Sequence, residues 1–468
     1  MTERVILEFE DRRYTRADLD TAAAGLAQAL AGRGVSSGSR VALMSGNRPE
    51  FVIAVLAIWR LGAAAVLISP AWRTQEVTHA LGVSEATHAV GDNPVLADLM
   101  SMVHLDDPLA AVPAGTAPAL DPEAEAVLVF SSGTTGLPKA VRHSHGSFAA
   151  AVRHWREVLD LSERDRIQVV TPPAHILGLL NIVTALDVGA WVRLDARFDL
   201  ERMLTRIGQD GITIEMAVAP IALAIASHPT LESFDLSPLR YIMWGATPVT
   251  PSVAETVTRR TGIGWLPAYG ASEVPVIACN PIGDARLDSV GKAAPGVGIR
   301  VVDLQTGKPL APGEVGEIQV RSTSLMLGYL PEESNAEAFD DGWYRTGDVG
   351  SVDADGWVRL TDRSKEMIKV RGFQVAPAEI EAVLHGHPAV ADCAVFGIPD
   401  ERDGERIVAA VALSVPVDDA ELINFVGDLL ASYKRPRDVL VVDEIPRLPS
   451  GKVLRRVLKE NYGCTADQ

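Results

Sequence analysis

The sequence contains few cysteines, no excess of positive charge and no long uninterrupted apolar segment. Its three cysteines, Cys279, Cys393 and Cys464, lie far apart and in no metal-ligand spacing. We therefore expect reduced thiols rather than a disulfide framework or a thiolate metal site. The 468 residues include 43 lysines and arginines against 61 aspartates and glutamates, a net charge of −18. Such an acidic chain has no general attraction for nucleic acid or anionic membranes, and it binds phosphates only through local groups.

The most apolar stretch, residues 51–69 (FVIAVLAIWRLGAAAVLIS), is interrupted by Arg60 and Gly62. A membrane-spanning helix needs about 20 consecutive apolar residues. We therefore interpret this stretch as a buried helix over residues 49–61 and a buried strand over residues 64–68. The first residues (MTERVILEFEDRRY) carry charge where a secretory signal is apolar. We expect no membrane span and a cytoplasmic location.

Strand and helix patterns alternate through most of the chain. A strand pattern at residues 40–44 precedes the helix at 49–61 and the strand at 64–68, which together make a β-α-β unit. Because the alternation continues, we predict an α/β fold with a largely parallel sheet.

The pattern changes near residues 361–366. Beyond this point the chain has its own series of helix and strand patterns, at residues 377–385, 390–397, 407–413 and 419–431. About a hundred residues suffice for a small domain with its own core. We therefore predict two domains, residues 1–361 and residues 362–468.

The strongest chemical signal is residues 131–139 (SSGTTGLPK), which follow a strand pattern at residues 126–130. Four hydroxyls, two glycines and one lysine suit the oxygens of a polyphosphate, because glycine lets backbone amides approach them closely. The segment is not the common GxxxxGK[ST] phosphate loop, since Lys139 has no glycine before it and is followed by Ala140. Taken alone, such a cluster is equally compatible with a flexible polar loop.

This string resembles the phosphate loop of the adenylate-forming superfamily, which includes acyl- and aryl-CoA synthetases, peptide-synthetase adenylation domains and luciferases. Six further motifs follow in the family's order, at residues 269–273 (YGASE), 316–318 (GEI), 344–348 (YRTGD), 362–365 (DRSK), 369–374 (KVRGFQ) and 449–452 (PSGK). The resemblance covers residues 14–457. It implies a large N-terminal adenylate-forming domain with α/β sub-units and a small, mobile α+β lid, with the active site between them.

The resemblance also implies that a carboxylate attacks the α-phosphorus of ATP and that a thiol then takes the acyl group. Two anions meet in the first step, so cations and Mg²⁺ are needed to reduce their repulsion. The implied catalytic residues are Lys452, Glu273 and Lys369, and the implied Mg²⁺ ligands are Thr134 and Glu273. The implied ATP- and AMP-binding residues are Ser131, Ser132, Gly133, Thr134, Thr135, Lys139, Gly245, Ala246, Tyr269, Gly270, Ser272, Asp348, Arg363 and Lys452.

Within that set, Tyr269 is expected along the adenine and Asp348 at the ribose hydroxyls. Lys452 is expected to reach from the lid to the reacting oxygens, as a point charge on a long stem. Lys365 occupies the family's hinge position. Arg371 and Gly372 are expected beside the route taken by the CoA pantetheine.

The acyl pocket is expected to be lined by His175, Leu177, Asn181, Gly245, Ala268 and Pro275. The segment from His175 has no acidic residue to hold an ammonium group, which argues against an amino-acid substrate. Leu177 stands where plant coumarate–CoA ligases have tyrosine, and Asn181 stands where they have serine. An apolar pocket of limited depth favours an aryl acid or an acyl acid of short to medium chain length.

Two acceptors for the acyl group remain open from the sequence. CoA is the first, and the phosphopantetheine of an acyl carrier protein is the alternative. A non-catalytic nucleotide-binding protein is a third interpretation, but the presence of Lys452, Asp348 and Glu273 argues against it.

Overall fold

The structure is a computed structural model that describes residues 4–109, 112–115, 119–131, 138–247, 249–363, 366–370, 373–400, 402, 404–448 and 451–466. The helices are α1 (Arg16–Ala31), α2 (Pro49–Arg60), α3 (Thr74–Ser84), α4 (Pro94–Leu99), α5 (His145–Val158), α6 (Ile176–Val188), α7 (Leu200–Asp210), α8 (Ala219–Ser227), α9 (Pro251–Thr261), α10 (Pro377–Leu384), α11 (Asp419–Leu429) and α12 (Arg455–Ala466).

The largest sheet has nine strands. In spatial order they are β15 (Lys292–Ala293), β14 (Ala278–Cys279), β13 (Trp265–Tyr269), β12 (Tyr241–Trp244), β11 (Ile214–Ala217), β9 (Arg166–Val169), β10 (Trp191–Leu194), β1 (Val5–Phe9) and β2 (Arg12–Thr15). The six strands from β13 to β1 run parallel, and antiparallel pairs close both edges.

A second sheet has seven strands. In spatial order they are β18 (Gly328–Leu330), β8 (Lys139–Ser144), β7 (Glu125–Ser131), β4 (Ala64–Leu67), β3 (Arg40–Met44), β5 (His88–Gly91) and β6 (Met102–His104). The strands from β7 to β6 are parallel, whereas β8 and β18 are antiparallel additions. The predicted α/β class with largely parallel sheets is therefore confirmed.

One hydrophobic core joins these two sheets. It contains apolar side chains from strands of both sheets and from α1, α2, α5 and α6. The outer face of the nine-stranded sheet packs on α7, α8 and α9, and that of the seven-stranded sheet packs on α3 and α4. Because parallel strands are covered on both faces, they have the near-continuous apolar sequences seen at residues 40–44 and 64–68.

Two smaller sheets complete the fold. One contains β16 (Gly298–Val302), β17 (Gly316–Arg321), β19 (Phe339–Asp340), β20 (Trp343–Val352) and β21 (Val358–Arg363). The other, near the C-terminus, contains β22 (Ile368–Val370), β23 (Phe373–Val375), β24 (Val390–Asp400), β25 (Gly404–Leu413) and β26 (Asp438–Val441). The C-terminal sheet has its own core with α10 and α11.

The predicted boundary between residues 361 and 362 falls inside β21, and this boundary stays a prediction. Among the described residues, no helix combines the length and the apolar character that crossing a membrane requires.

Candidate active site

A cleft of about 660 Å³ lies between the large N-terminal part and the C-terminal unit. Its N-terminal wall includes Ala246, Tyr269 and Asp348, and its C-terminal wall includes Gly451 and Lys452. These residues lie up to about 200 positions apart in the sequence, and the fold brings them to one space. The cleft therefore collects side chains from the predicted nucleotide-binding and catalytic sets.

Asp348 enters the cleft through an irregularity in β20. Residues 346–348 of this strand lie opposite the single residue Ile318 of β17, and Gly347 has φ +71°. The Thr346 hydroxyl donates to the Ile318 carbonyl over 2.7 Å and accepts from the Asp348 amide over 3.0 Å. Such a bulge redirects a side chain that a regular strand would place elsewhere.

The Asp348 carboxylate meets Tyr269, the last residue of β13. The Tyr269 hydroxyl donates to Asp348 Oδ2 over 2.5 Å, and both residues are at least nine-tenths buried. The predicted adenine-side tyrosine and the predicted ribose-side carboxylate are therefore in direct contact. This contact orients the carboxylate toward the cleft that both residues line.

Glu273 lies at the end of a short chain of tyrosine hydroxyls. The Tyr329 hydroxyl donates to Glu273 Oε1 over 2.8 Å, and the Tyr344 hydroxyl lies 3.1 Å from that of Tyr329. Since Tyr329 has one proton to donate, Tyr344 donates to its oxygen. Burial and the neighbouring Glu273 raise the pKa of Tyr344, which keeps it a donor. This chain of hydroxyls orients the Glu273 side chain, whose oxygens are hard ligands of the kind that Mg²⁺ prefers.

Lys139 belongs to the same cluster. It opens β8, which pairs with β18, and this pairing brings its ammonium group to 5.2 Å from the centre of the Tyr329 ring. Ser131 closes β7 and faces Lys139 in the β7–β8 register. The loop between them, with Ser132, Gly133, Thr134 and Thr135, lies outside the described residues.

Gly270 and Ala246 line the cleft at two positions where the backbone geometry is unusual. A Cβ on Gly270 would lie 2.1 Å from the carbonyl oxygen of Pro275, so only glycine fits between β13 and the Ser272–Glu273 turn. Ala246 follows β12 with φ +63°, the left-handed region that alanine rarely adopts. Local strain of this kind is found at sites where backbone groups must face a ligand.

Three of the six predicted acyl-pocket residues, His175, Leu177 and Asn181, lie at or on α6, and none of these three is among the residues that line the cleft. His175 is the N-cap residue of α6, and burial lowers the pKa of this histidine, which favours the neutral ring. Leu177 has a methyl group 4.0 Å from the position that a Cβ on Gly245 would occupy. Asn181 lies one turn further along the same helix face, because residues i and i+4 are neighbours there.

The Asn181 amide is fully buried and only half satisfied. Its Oδ1 accepts a hydrogen bond from Trp155 Nε1 over 2.7 Å. An indole N–H only donates, so the amide oxygen must face Trp155. The amide nitrogen has no hydrogen-bond partner among the described residues. A buried donor in this state costs about 1–3 kcal/mol unless a ligand satisfies it.

Other predicted residues are placed as follows. Arg363 ends β21 and pairs in register with Asp348. Lys369 lies on β22 as an exposed residue, outside the lining of the cleft, and its amide donates to Glu405. Lys365, Arg371 and Gly372 lie outside the described residues. Ala268 is the neighbour of Tyr269 on β13 and lines the cleft.

The sequence analysis missed Tyr329, Trp155 and Arg447, which contact predicted site residues. Tyr329 had a detectable signal, a hydroxyl-bearing aromatic in the otherwise apolar residues 325–330 (LMLGYL). Trp155 reads as an ordinary apolar position of α5. Arg447 had no signal, because its charged partner Asp392 lies 55 residues away in the sequence.

Comparison with known proteins identifies related sequences along the whole chain. Residues 1–330 match the family described as AMP-binding enzyme, and residues 379–452 match the AMP-binding enzyme C-terminal domain. The chain is 34% identical to 4-coumarate–CoA ligase 5 of Oryza sativa subsp. japonica, over 94% of this chain and 88% of that protein. It is 33% identical to a feruloyl-CoA synthase of Amycolatopsis sp, over 96% and 94% respectively.

Two solved structures of one relative differ in how well they match this chain. The crystal structure of ATP-bound MatB from Rhodopseudomonas palustris matches with a TM-score of 0.92 and 27% identity, covering 98% of this chain and 96% of that one. The apo structure of the same protein matches over the same shares with a TM-score of 0.80. The two structures show the same relative at the same identity, so the difference in TM-score reflects a difference in its conformation. The conformation of this chain is closer to that of the ATP-bound structure.

Proposed function

The chain belongs to the AMP-binding enzyme family. From this premise we propose that it joins CoA to an aromatic acid that carries an oxygen substituent on its ring. As an acid–thiol ligase, the protein activates a carboxylic acid with ATP to an acyl-adenylate and then forms the CoA thioester. The observation that carries the aromatic assignment is the buried amide nitrogen of Asn181, one helical turn from Leu177 on α6, which has no hydrogen-bond partner among the described residues.

In the first half-reaction the protein's main task is to stabilise the negative charge on the reacting phosphate oxygens. A substrate carboxylate oxygen attacks the α-phosphorus of ATP, the α–β phosphoanhydride bond breaks, and pyrophosphate leaves with the electron pair. In our proposal Asp348 and Tyr269 hold the nucleoside, and Lys452 stabilises the negative charge that builds on the α-phosphate oxygens. The TM-score of 0.92 with an ATP-bound relative supports this arrangement of the lid.

Mg²⁺ suits the chemistry of Glu273 and its surroundings. Glu273 offers one carboxylate that Tyr329 orients, and protein sites for Mg²⁺ often use one or two carboxylates together with substrate phosphates. We propose that Glu273, with Thr134 of the phosphate loop, would hold the ion. When bound, Mg²⁺ would neutralise phosphate charge.

The acid recognition rests on Leu177, Gly245 and Asn181. In this proposal Leu177 and Gly245, which lie close together, form an apolar wall of the acyl site, and the Asn181 amide one helical turn further along α6 forms its end. A flat ring suits such a wall, and an oxygen on the far side of the ring would accept from the amide. 4-Coumarate and ferulate, named in the relatives, are aromatic acids with a phenolic oxygen.

A panel of acids tests this assignment. Pyrophosphate release should favour 4-hydroxycinnamate over cinnamate by about tenfold in kcat/KM, the value of one buried hydrogen bond. Hexanoate should be poorer than both. Replacing Asn181 with leucine should remove the preference between the two aromatic acids, because no donor remains. An equal loss for both acids would show that Asn181 only packs, and a preference for hexanoate would refute an aromatic pocket.

The acceptor is tested with the same enzyme. After adenylation, free CoA and a phosphopantetheinylated carrier protein are offered separately, and thioester formation is measured. We expect product with CoA. Product with the carrier protein alone would favour the alternative of a stand-alone adenylation enzyme.

A third measurement concerns the nucleotide. Asp348→Ala is expected to raise the KM for ATP about ten- to hundredfold, because hydrogen bonds to a charged acceptor contribute roughly 1.5–3 kcal/mol. Tyr269→Phe, which removes only the hydroxyl that orients Asp348, should have a smaller effect. Asp355→Ala, an exposed carboxylate at the turn after β20, serves as the control. An unchanged KM in Asp348→Ala would remove this residue from nucleotide binding.

A further inference from the structure

Residues 447–448 and 451–453 form the two arms of the hairpin that carries Lys452. The Leu448 amide donates to the Lys452 carbonyl over 2.8 Å, and the Gly451 amide donates to the Leu448 carbonyl over the same distance. Arg447 and Val453 form an antiparallel bridge at the base. These bonds define the local shape of the loop, but they do not attach it to the rest of the C-terminal unit.

Arg447 links the loop to β24 through its side chain. Its Nη1 donates to the Gly451 carbonyl over 2.9 Å, so the guanidinium contacts the backbone of the residue before Lys452. Its Nη2 and Nε donate to the two oxygens of Asp392 over 2.8–3.2 Å. Asp392 belongs to β24, and its Oδ1 also accepts from the Cys393 amide over 2.8 Å. The planar fork of arginine therefore connects the Lys452 loop to β24, the last strand in the order of the C-terminal sheet.

The other side of the hairpin touches the large N-terminal part. Gly451 has φ +84°, and a Cβ there would lie 2.9 Å from Pro220 Cδ and 3.4 Å from Thr247 Cγ2. A side chain at position 451 would therefore collide with the cleft wall, and glycine lets the loop approach it closely. Pro220 and Thr247 lie on one side of the loop, and Arg447 contacts it from the other.

We propose that Arg447 is a positioning residue for the adenylation half-reaction, and that the Asp392–Arg447 pair holds Lys452 at the cleft. This inference rests on the proposed role of Lys452 in adenylation. Arg447 touches neither substrate nor reacting atoms in this proposal. It acts through the backbone of the loop, where a displacement of about 1 Å costs up to a hundredfold in rate.

A purely structural ion pair makes a different prediction. The Arg447 and Asp392 side chains are about one-fifth exposed, and ion pairs near the surface contribute little to stability. If the pair only stabilised the C-terminal unit, its loss would lower both half-reactions together. If it positions Lys452, the loss should appear in adenylation alone.

The test compares Arg447→Met, Arg447→Lys, Asp392→Asn and Lys452→Ala with the wild type. Adenylation is measured as acid-dependent ATP–pyrophosphate exchange without thiol. Thioester formation is measured from supplied acyl-adenylate and CoA. Arg406→Lys is the matched control, since Arg406 belongs to the same unit and pairs with Asp438 over 3.4 Å, away from the Lys452 loop. Thermal unfolding of each variant reports stability.

Arg447→Met is expected to slow exchange about ten- to hundredfold with thioester formation within twofold of wild type. Arg447→Lys, which keeps the charge without the fork, should recover part of the loss, and Arg406→Lys should match the wild type. Exchange at the wild-type rate in Arg447→Met, or equal losses in both half-reactions, would overturn the positioning role. If Lys452→Ala itself exchanges normally, the proposed role of Lys452 fails, and the inference fails with it.

Discussion

Replacing Lys452 with alanine is expected to slow acyl-adenylate formation by about 10²–10³-fold and to leave transfer from supplied acyl-adenylate to CoA nearly unchanged. Lys452 lines the cleft opposite Asp348 and Tyr269, with its hairpin packed against Pro220. A positioned cation stabilises the charge that develops as the α-phosphorus is attacked, and one such contact typically contributes this factor. The thiol step starts from an acyl-adenylate whose phosphoanhydride bond is already broken, so it has no such requirement.

The measurement separates the two half-reactions. Pyrophosphate exchange reports the first, and AMP release from supplied acyl-adenylate with CoA reports the second. Lys459→Ala, which removes the same charge from an exposed position of α12, is the matched control and should behave as wild type. Equal losses in both half-reactions would contradict a role confined to adenylation.

Local elements of the fold were predictable because their signals are local. The strand predicted at residues 40–44 is Arg40–Met44, and the helix predicted at residues 49–61 is Pro49–Arg60. A capping box, in which Thr15 and Asp18 satisfy each other's backbone amides, starts α1. The helix predicted at residues 419–431 ends at Leu429, two residues early. Helix ends depend on tertiary packing and are less determined by periodicity.

The contacts within the candidate site were less predictable because they join distant strands. Tyr329 reaches Glu273 only because β18 pairs with β8, and Arg447 reaches Asp392 across 55 positions of sequence. Asp348 belongs to a recognisable motif, but the bulge that turns its side chain into the cleft depends on the pairing of β20 with β17. Motif resemblance selects residue types, whereas strand register decides which of them meet.

The half-satisfied amide of Asn181 could not be inferred from the sequence either. The substitution of asparagine for serine was visible, but its direction depends on Trp155, which lies 26 residues earlier on α5. Because the Trp155 indole N–H can only donate, the Asn181 side-chain oxygen must face α5 and its amide nitrogen must point elsewhere. The orientation of the Asn181 amide therefore follows from a helix–helix contact.

The second large effect is expected at Glu273. Glu273→Gln should raise the Mg²⁺ concentration needed for half-maximal adenylation about ten- to hundredfold and lower the rate at saturating metal. The amide is neutral, so it ligates Mg²⁺ poorly while Tyr329 still donates to its oxygen. Tyr329→Phe keeps the carboxylate but removes its orienting bond, and losing such an outer contact also weakens metal binding, by up to about tenfold here.

Titration calorimetry of ATP with and without Mg²⁺ gives a readout that is independent of turnover. In the wild type, Mg²⁺ should tighten ATP binding, and this gain should shrink in Tyr329→Phe and nearly vanish in Glu273→Gln. Glu332→Gln, an exposed acid three residues beyond Tyr329, is the control and should keep the full gain. The ordering of the three variants tests the hydroxyl chain as well as the carboxylate, because only an oriented ligand predicts an intermediate value for Tyr329→Phe. A Mg²⁺ requirement unchanged in Glu273→Gln would exclude this carboxylate as a ligand.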